Sequence, residues 1–170
     1  MKASKIVLGI SLFIFSLNSH AFSEIDTKMI TCAAYADVTA RDAIMYPMIS
    51  GKPAPISNKD YTNIITTSRM HLVGVAKNTP LPDVVSKFKQ IKGDVASDSA
   101  KKTGYKIDGR TFNINYLIVY MEYNARKFTE TCSPLISRLN NTASAYGSEK
   151  ALSQAALDLK EEFKKQGLEW

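Results

Sequence analysis

The first apolar stretch of the chain, Ile6 to Leu17, is almost unbroken, interrupted only by Gly9, Ser11 and Ser16. Beyond it apolar residues return at helical spacing. In segment A, about Ile25 to Tyr46, the residues Ile25, Met29, Cys32, Ala36, Ala40, Ala43 and Ile44 recur at three- and four-residue steps and share one face. Ser23 suits the N-cap, and Glu24 and Asp26 suit the positive end of the helix dipole. Pro47 is expected to end or kink this helix, because it lacks an N–H and crowds the preceding turn. Gly51-Lys52-Pro53-Ala54-Pro55 reads as a linker.

Segment B opens at Ser57, with Asp60 at N3 as a shortened capping box and Ile56 placed to staple against Tyr61. Tyr61, Ile64, Ile65, Leu72 and Val75 form its apolar face, and Asn78-Thr79-Pro80 stops it. Segment C starts with Pro80 and Pro82, which a first turn tolerates, and carries the stripe Val84, Phe88, Ile91 and Val95. Gly93 weakens it, and Thr103-Gly104 ends it before a turn over Lys106 to Arg110. Segment D, about Thr111 to Thr131, has two stripes. One is Phe112, Tyr116, Val119, Tyr120 and Tyr123; the other is Ile114, Leu117, Ile118, Met121, Ala125, Phe128 and Cys132. A helix apolar around most of its girth is expected at the centre of a bundle. Segment E, about Ser148 to Gln166, carries Leu152, Ala155, Ala156, Leu159 and Phe163, with Gly167 and Leu168 patterned like a Schellman cap. The expected fold is all-α: a compact bundle of four to five helices in one domain, residues 22–170.

The opening run has a different meaning. Lys2 and Lys5 precede it and Ser19-His20-Ala21 follows, the three-part pattern of a secretory signal. The run is too short to span a bilayer comfortably, since about 20 apolar residues are needed. Cleavage is expected after Ala21, leaving Phe22 as the mature start, with no stable membrane insertion afterwards. The destination is the periplasm or the external medium. Two cysteines, Cys32 and Cys132, remain in the exported chain and are expected to pair as one disulfide.

The 170 residues are 45% hydrophobic and 22% charged, and mean hydropathy is −0.15, which excludes a disordered chain and a multi-pass membrane protein. Removing the signal leaves 20 basic against 16 acidic side chains. The excess is local: Lys87, Lys89, Lys92, Lys101, Lys102, Lys106 and Arg110 face only Asp94, Asp98 and Asp108 in segment C and its exit. This stretch reads as a solubilising face or as a surface for docking to an acidic partner, a protein or an envelope polymer. Aromatic residues are not interleaved with these lysines, which argues against nucleic acid. Tyr116, Tyr120 and Tyr123 add a helical stripe that reads as core edge or as an interface hot spot. Lys87, Lys89, Lys92, Lys101, Lys102, Tyr116, Tyr120 and Tyr123 are therefore the candidate partner-binding residues. A second copy of the chain is the other candidate partner. Trp170, the only tryptophan, is a candidate anchor onto the bundle.

Catalytic equipment is sparse. His71 is the one histidine left after signal removal, so a histidine-containing metal cluster is not expected, and two distant cysteines are too few for zinc. No nucleophile elbow, phosphate-binding loop or Cys-x-x-Cys pair occurs. Glu122 and Glu130 flank Arg126 at four-residue steps, which reads as an ion-paired face before it reads as a glycosidase pair. Asn140-Asn141-Thr142 matches a glycosylation triplet. No cofactor is expected. The residues point to an exported, non-enzymatic binding protein of the immunity or inhibitor kind, directed at a toxic effector or cell-wall hydrolase. A periplasmic stress chaperone is the alternative. The signal assignment predicts that N-terminal sequencing of the protein recovered from a bacterial envelope fraction reads from Phe22. A retained Met1 would overturn it.

Overall fold

The computed structural model describes residues 21–106 and 113–170, all of them helix or connection. The helices are α1 (Glu24–Ser50), α2 (Asn58–Ala76), α3 (Leu81–Thr103), α4 (Ile114–Cys132), α5 (Ile136–Ala145) and α6 (Glu149–Lys165). A single 3-10 turn, Ser133–Leu135, joins α4 to α5 without a loop, so loops separate five helical stretches.

The starts are chemically explicit. Ser23 accepts from the Asp26 amide at 3.1 Å while Asp26 accepts from the Ser23 amide, and Ser57 and Asp60 repeat the same reciprocal pair. Both boxes satisfy N–H groups that the first turn leaves without partners. Ser148 caps α6 by accepting from the Ala151 amide at 3.2 Å. At the far end the Leu168 amide donates to the Phe163 carbonyl at 2.9 Å and Gly167 donates to Lys164, with Gly167 in the left-handed region at φ 70°. This is a Schellman closure, and it turns the last residues back onto the bundle.

Four expectations on the helices need correction. Pro47 does not end α1; the helix runs on to Ser50, and the Gly51 amide closes it on the Pro47 carbonyl. A proline so close to a C-terminus forfeits one ladder bond only, and Gly51 supplies the left-handed residue that stops the helix. Segment D starts later than expected: Asn113 caps α4 by accepting from the Asn115 amide. Thr111, Phe112 and the turn over 107–110 lie outside the described residues. Helix α5 corresponds to no segment in the pattern, because its sequence is polar and only Thr142 is buried.

The fourth correction concerns the centre. Helix α1, not α4, is the hub: every residue from Cys32 to Ala40 is buried. Helices α2, α3 and α4 all pack on it, while α5 packs on α2 and α6 on α2 and α3. Ala33, Ala34, Ala36, Ala40 and Ala43 make this possible, since their small side chains let three neighbours approach one axis. Helix α4 instead leaves Tyr116 and Val119 exposed and buries Leu117, Tyr120 and Asn124. Ile30, Leu72, Val75, Val84, Val85, Phe88, Leu159 and Phe163 fill the space between helices at close to zero exposure.

The expected disulfide is present, Cys32 to Cys132, with Cα atoms 5.1 Å apart. It ties the third turn of α1 to the last residue of α4. The Asn124 amide nitrogen also donates to Asp42 across these helices, so α1 and α4 run antiparallel. The bridge spans a sequence separation of 100 residues, for which loop-closure entropy gives a stabilisation of about 4.7 kcal/mol. Replacing both Cys32 and Cys132 by serine is therefore expected to lower the unfolding free energy by about 2–5 kcal/mol. Urea denaturation of variant and wild type measures this, and coincident midpoints would refute it.

Candidate functional site

One stripe of α1 leads from core to surface. Asp37, Arg41, Ile44, Met45 and Met48 follow each other at the i, i+4, i+7, i+8 and i+11 steps that share a helix face. At its inner end Asp37 is buried and takes two cations. Arg69 Nη2 donates to Asp37 Oδ1 at 3.0 Å, and Lys92 Nζ pairs with Asp37 Oδ2. The Arg69 guanidinium lies 5.0 Å from the Phe163 ring centre, 5.2 Å from Trp170 and 6.0 Å from Phe88. Those are cation–π distances. Burial pulls Arg69 below its ordinary value, and the Asp37 charge opposes the shift. The planar, weakly hydrated guanidinium suits a site with an acid in its plane and rings around it.

Beside this cluster runs a groove of about 510 Å³ lined by Arg41, Ile44, Met45, Tyr61, Ile65 and the 167–170 tail. Ile44 and Met45 stand exposed along its side, and Met48, one turn further on, is 76% exposed. Trp170 anchors to the bundle edge-on to Phe163, with ring centres 5.3 Å apart.

The candidate partner-binding residues do not form one patch. Lys92 is committed to Asp37, and Lys87 hydrogen-bonds Gln90 at 3.2 Å. At 3.6 residues per turn Lys87 and Lys89 point about 200° apart around α3. Lys101 and Lys102 sit exposed in the last turn of α3, where cations suit the helix dipole. The tyrosine stripe divides. Tyr116 is 50% exposed, Tyr120 is only 3% exposed and stacks 4.9 Å from Tyr105, and the half-buried Tyr123 hydroxyl lies 3.5 Å from Asp98. One end of the bundle collects several of these groups. Ser99 on α3 bonds Asn124 on α4, and Tyr105, just past α3, stacks on Tyr120 a turn earlier in α4, so the two helices run antiparallel and the C-terminal ends of α1 and α3 meet the start of α4. Ile44, Met45, Met48, Lys101, Lys102, Tyr116 and Val119 all belong to that end.

Glu130 is held below the usual carboxylate range by its hydrogen bond from Lys127, and Arg126 lies 3.8 Å away. Glu122 joins neither pair among the described residues.

Two polar sites are internal. Ser99 Oγ donates to Asn124 Oδ1 at 2.6 Å, and Asn124 Nδ2 donates to Asp42 Oδ2 at 3.2 Å. Burial pushes Asp42 up to about 7, against the Asn124 hydrogen bond and the Arg41 charge. The second site brings the one described histidine against the disulfide. His71 is fully buried, and its ligand atoms and those of Cys32 and Cys132 all lie within 4.8 Å of one another. Neither ring nitrogen has a hydrogen-bond partner among the described residues, and burial pulls His71 down to about 4.

Asp37, Arg69, Asp42 and Asn124 carried no local motif. The available signals were an arginine inside the apolar stripe of segment B and two aspartates inside a small-residue run of segment A. Comparison with family models, curated proteins and solved structures finds no match to this chain.

The two internal groups give opposite pH dependences. Asp42 keeps its proton up to about pH 7 when folded but loses it near 3.8 when unfolded. Its contribution is full in acid and is lost as pH rises to 7. His71 stays neutral down to about pH 4 when folded but gains a proton near 6.5 when unfolded. Its contribution is full above 6.5 and is lost as pH falls to 4. Each slope is about 1.4 kcal/mol per pH unit, so they offset across the shared window. Asp42→Asn is expected to lose stability on acidification, and His71→Leu to gain it. Urea midpoints at several pH values between those limits decide this; variants with the wild-type profile would refute it.

Proposed function

We propose that the chain is an exported, non-enzymatic protein that binds an acidic protein partner, in the manner of an immunity protein or an inhibitor of a toxic effector or cell-wall hydrolase. The observation that carries this reading is the exposed apolar stripe Ile44, Met45 and Met48, whose first two members line the groove, at the same end as Lys101 and Lys102. An apolar centre with a cationic rim is how protein interfaces divide their work: burial of the centre supplies affinity, and charge at the rim steers encounter. The disulfide and the Schellman closure support the reading from another direction, because a surface held rigid loses little entropy on docking. The carboxylate arrangement described above gives an enzymatic reading no comparable support.

A periplasmic chaperone is the second reading, favoured by the same exposed methionines, whose flexible side chains adapt to varied clients. Affinity capture from envelope extract at low and high salt separates the two. The inhibitor reading predicts one stoichiometric partner that is lost at high salt. It also predicts that Met45→Asp, and Lys101→Glu with Lys102→Glu, each weaken the complex by about tenfold or more. Many substoichiometric clients unaffected by these changes would favour the chaperone. A stoichiometric partner indifferent to salt and to all three substitutions would overturn the docking surface.

A further inference from the structure

Buried histidines ordinarily hydrogen-bond through at least one ring nitrogen, because an unpaired polar atom in a dry core loses its hydration without return. His71 does not: it is fully buried and both nitrogens lack partners among the described residues. Its neighbours are the sulfurs of Cys32 and Cys132, which come from α1 and α4 while His71 comes from α2. A disulfide sulfur is a poor acceptor and offers no donor, so the oxidised form gives the imidazole nothing to bond. Reduction changes the chemistry of the same three atoms. Two thiolates and one neutral imidazole are soft and borderline donors, each from a different helix around one point.

We propose that the reduced form of this protein holds one zinc ion at Cys32, Cys132 and His71, so that metal and disulfide are alternative closures of one core site. The charge balance selects zinc among thiophilic ions: two thiolates neutralise Zn2+ in the dry interior, whereas Cu+ would leave a net negative charge there. Three protein ligands leave a fourth position open. The interconversion balances. The disulfide takes two electrons and two protons from a dithiol, which becomes a disulfide itself. Zinc then displaces the two thiol protons to solvent, and His71 donates a ring nitrogen lone pair while keeping the proton on the other nitrogen. The metal would tie α1, α2 and α4 together, one helix more than the disulfide links. A reduced chain that has not yet been oxidised would thereby have a closed core.

The test uses the full chain, reduced with a phosphine that does not bind zinc. Zinc is titrated against a chromophoric chelator, thermal unfolding is followed with and without zinc, and cadmium replaces zinc to report sulfur ligation by its charge-transfer band. The expected result is one zinc per reduced chain, a rise in unfolding temperature of at least about 5 °C with excess zinc, and a thiolate–cadmium band. The oxidised protein shows none of these. His71→Leu, checked for helix content in its oxidised form, is expected to bind zinc about tenfold more weakly or worse. The proposal is overturned if reduced wild-type protein gains no stability from zinc, if His71→Leu binds as tightly as wild type, or if only Cu+ binds. The wild-type comparison stands whether or not the variant folds.

Discussion

A helix with no outward face from Cys32 to Ala40 is the constraint around which this bundle is arranged. Burying a helix on all sides requires neighbours on all sides, and neighbours can crowd one axis only if its side chains are short. The alanines of α1 meet that requirement, and the bulk comes from outside, from Leu72, Val75, Val85, Phe88 and Leu117. The same geometry explains why α5 and α6 pack mainly on α2 and α3 rather than on the hub.

A hub buried this completely still carries polar side chains, and their treatment differs. Asp37 meets two cations, and the aromatic rings around Arg69 give its guanidinium a second form of compensation. Removing one member of such a set exposes the rest to the cost of an unpaired buried charge, about 3–5 kcal/mol. Asp42 has a single amide donor and answers by holding its proton to near neutrality. His71, packed beside the hub from α2, has no hydrogen-bond partner among the described residues. These three degrees of satisfaction lie along little more than the length of α1, so the hub is also where the fold is electrostatically most sensitive.

What was legible in the sequence was local chemistry. The Ser23 cap, the Ser57 box, the Gly167 closure and the apolar stripes of α2, α3 and α6 each depend on residues within a few positions of one another, and each is in place. The disulfide was legible because only two cysteines were there to pair. The hub was not, because an alanine-rich stripe scores as weakly apolar although its small size is what marks close approach. Tyr116 and Tyr120 share one sequence stripe but separate into solvent and core, and only Tyr120 stacks on Tyr105. Asp37 with Arg69, and Asp42 with Asn124, are 32 and 82 residues apart, and no local pattern announces such pairs. Helix α5 escaped because it buries so little that its spacing carries no signal.

Trp170 is the chain's only indole, and it lies against a guanidinium and the edge of Phe163 rather than within the body of the core. Its fluorescence therefore belongs to one contact, the return of the tail onto Arg69. Emission from this residue follows the latching of the chain end, and helix circular dichroism follows the bundle. The protein thus carries two optical signals that separate when the tail releases before the hub unfolds.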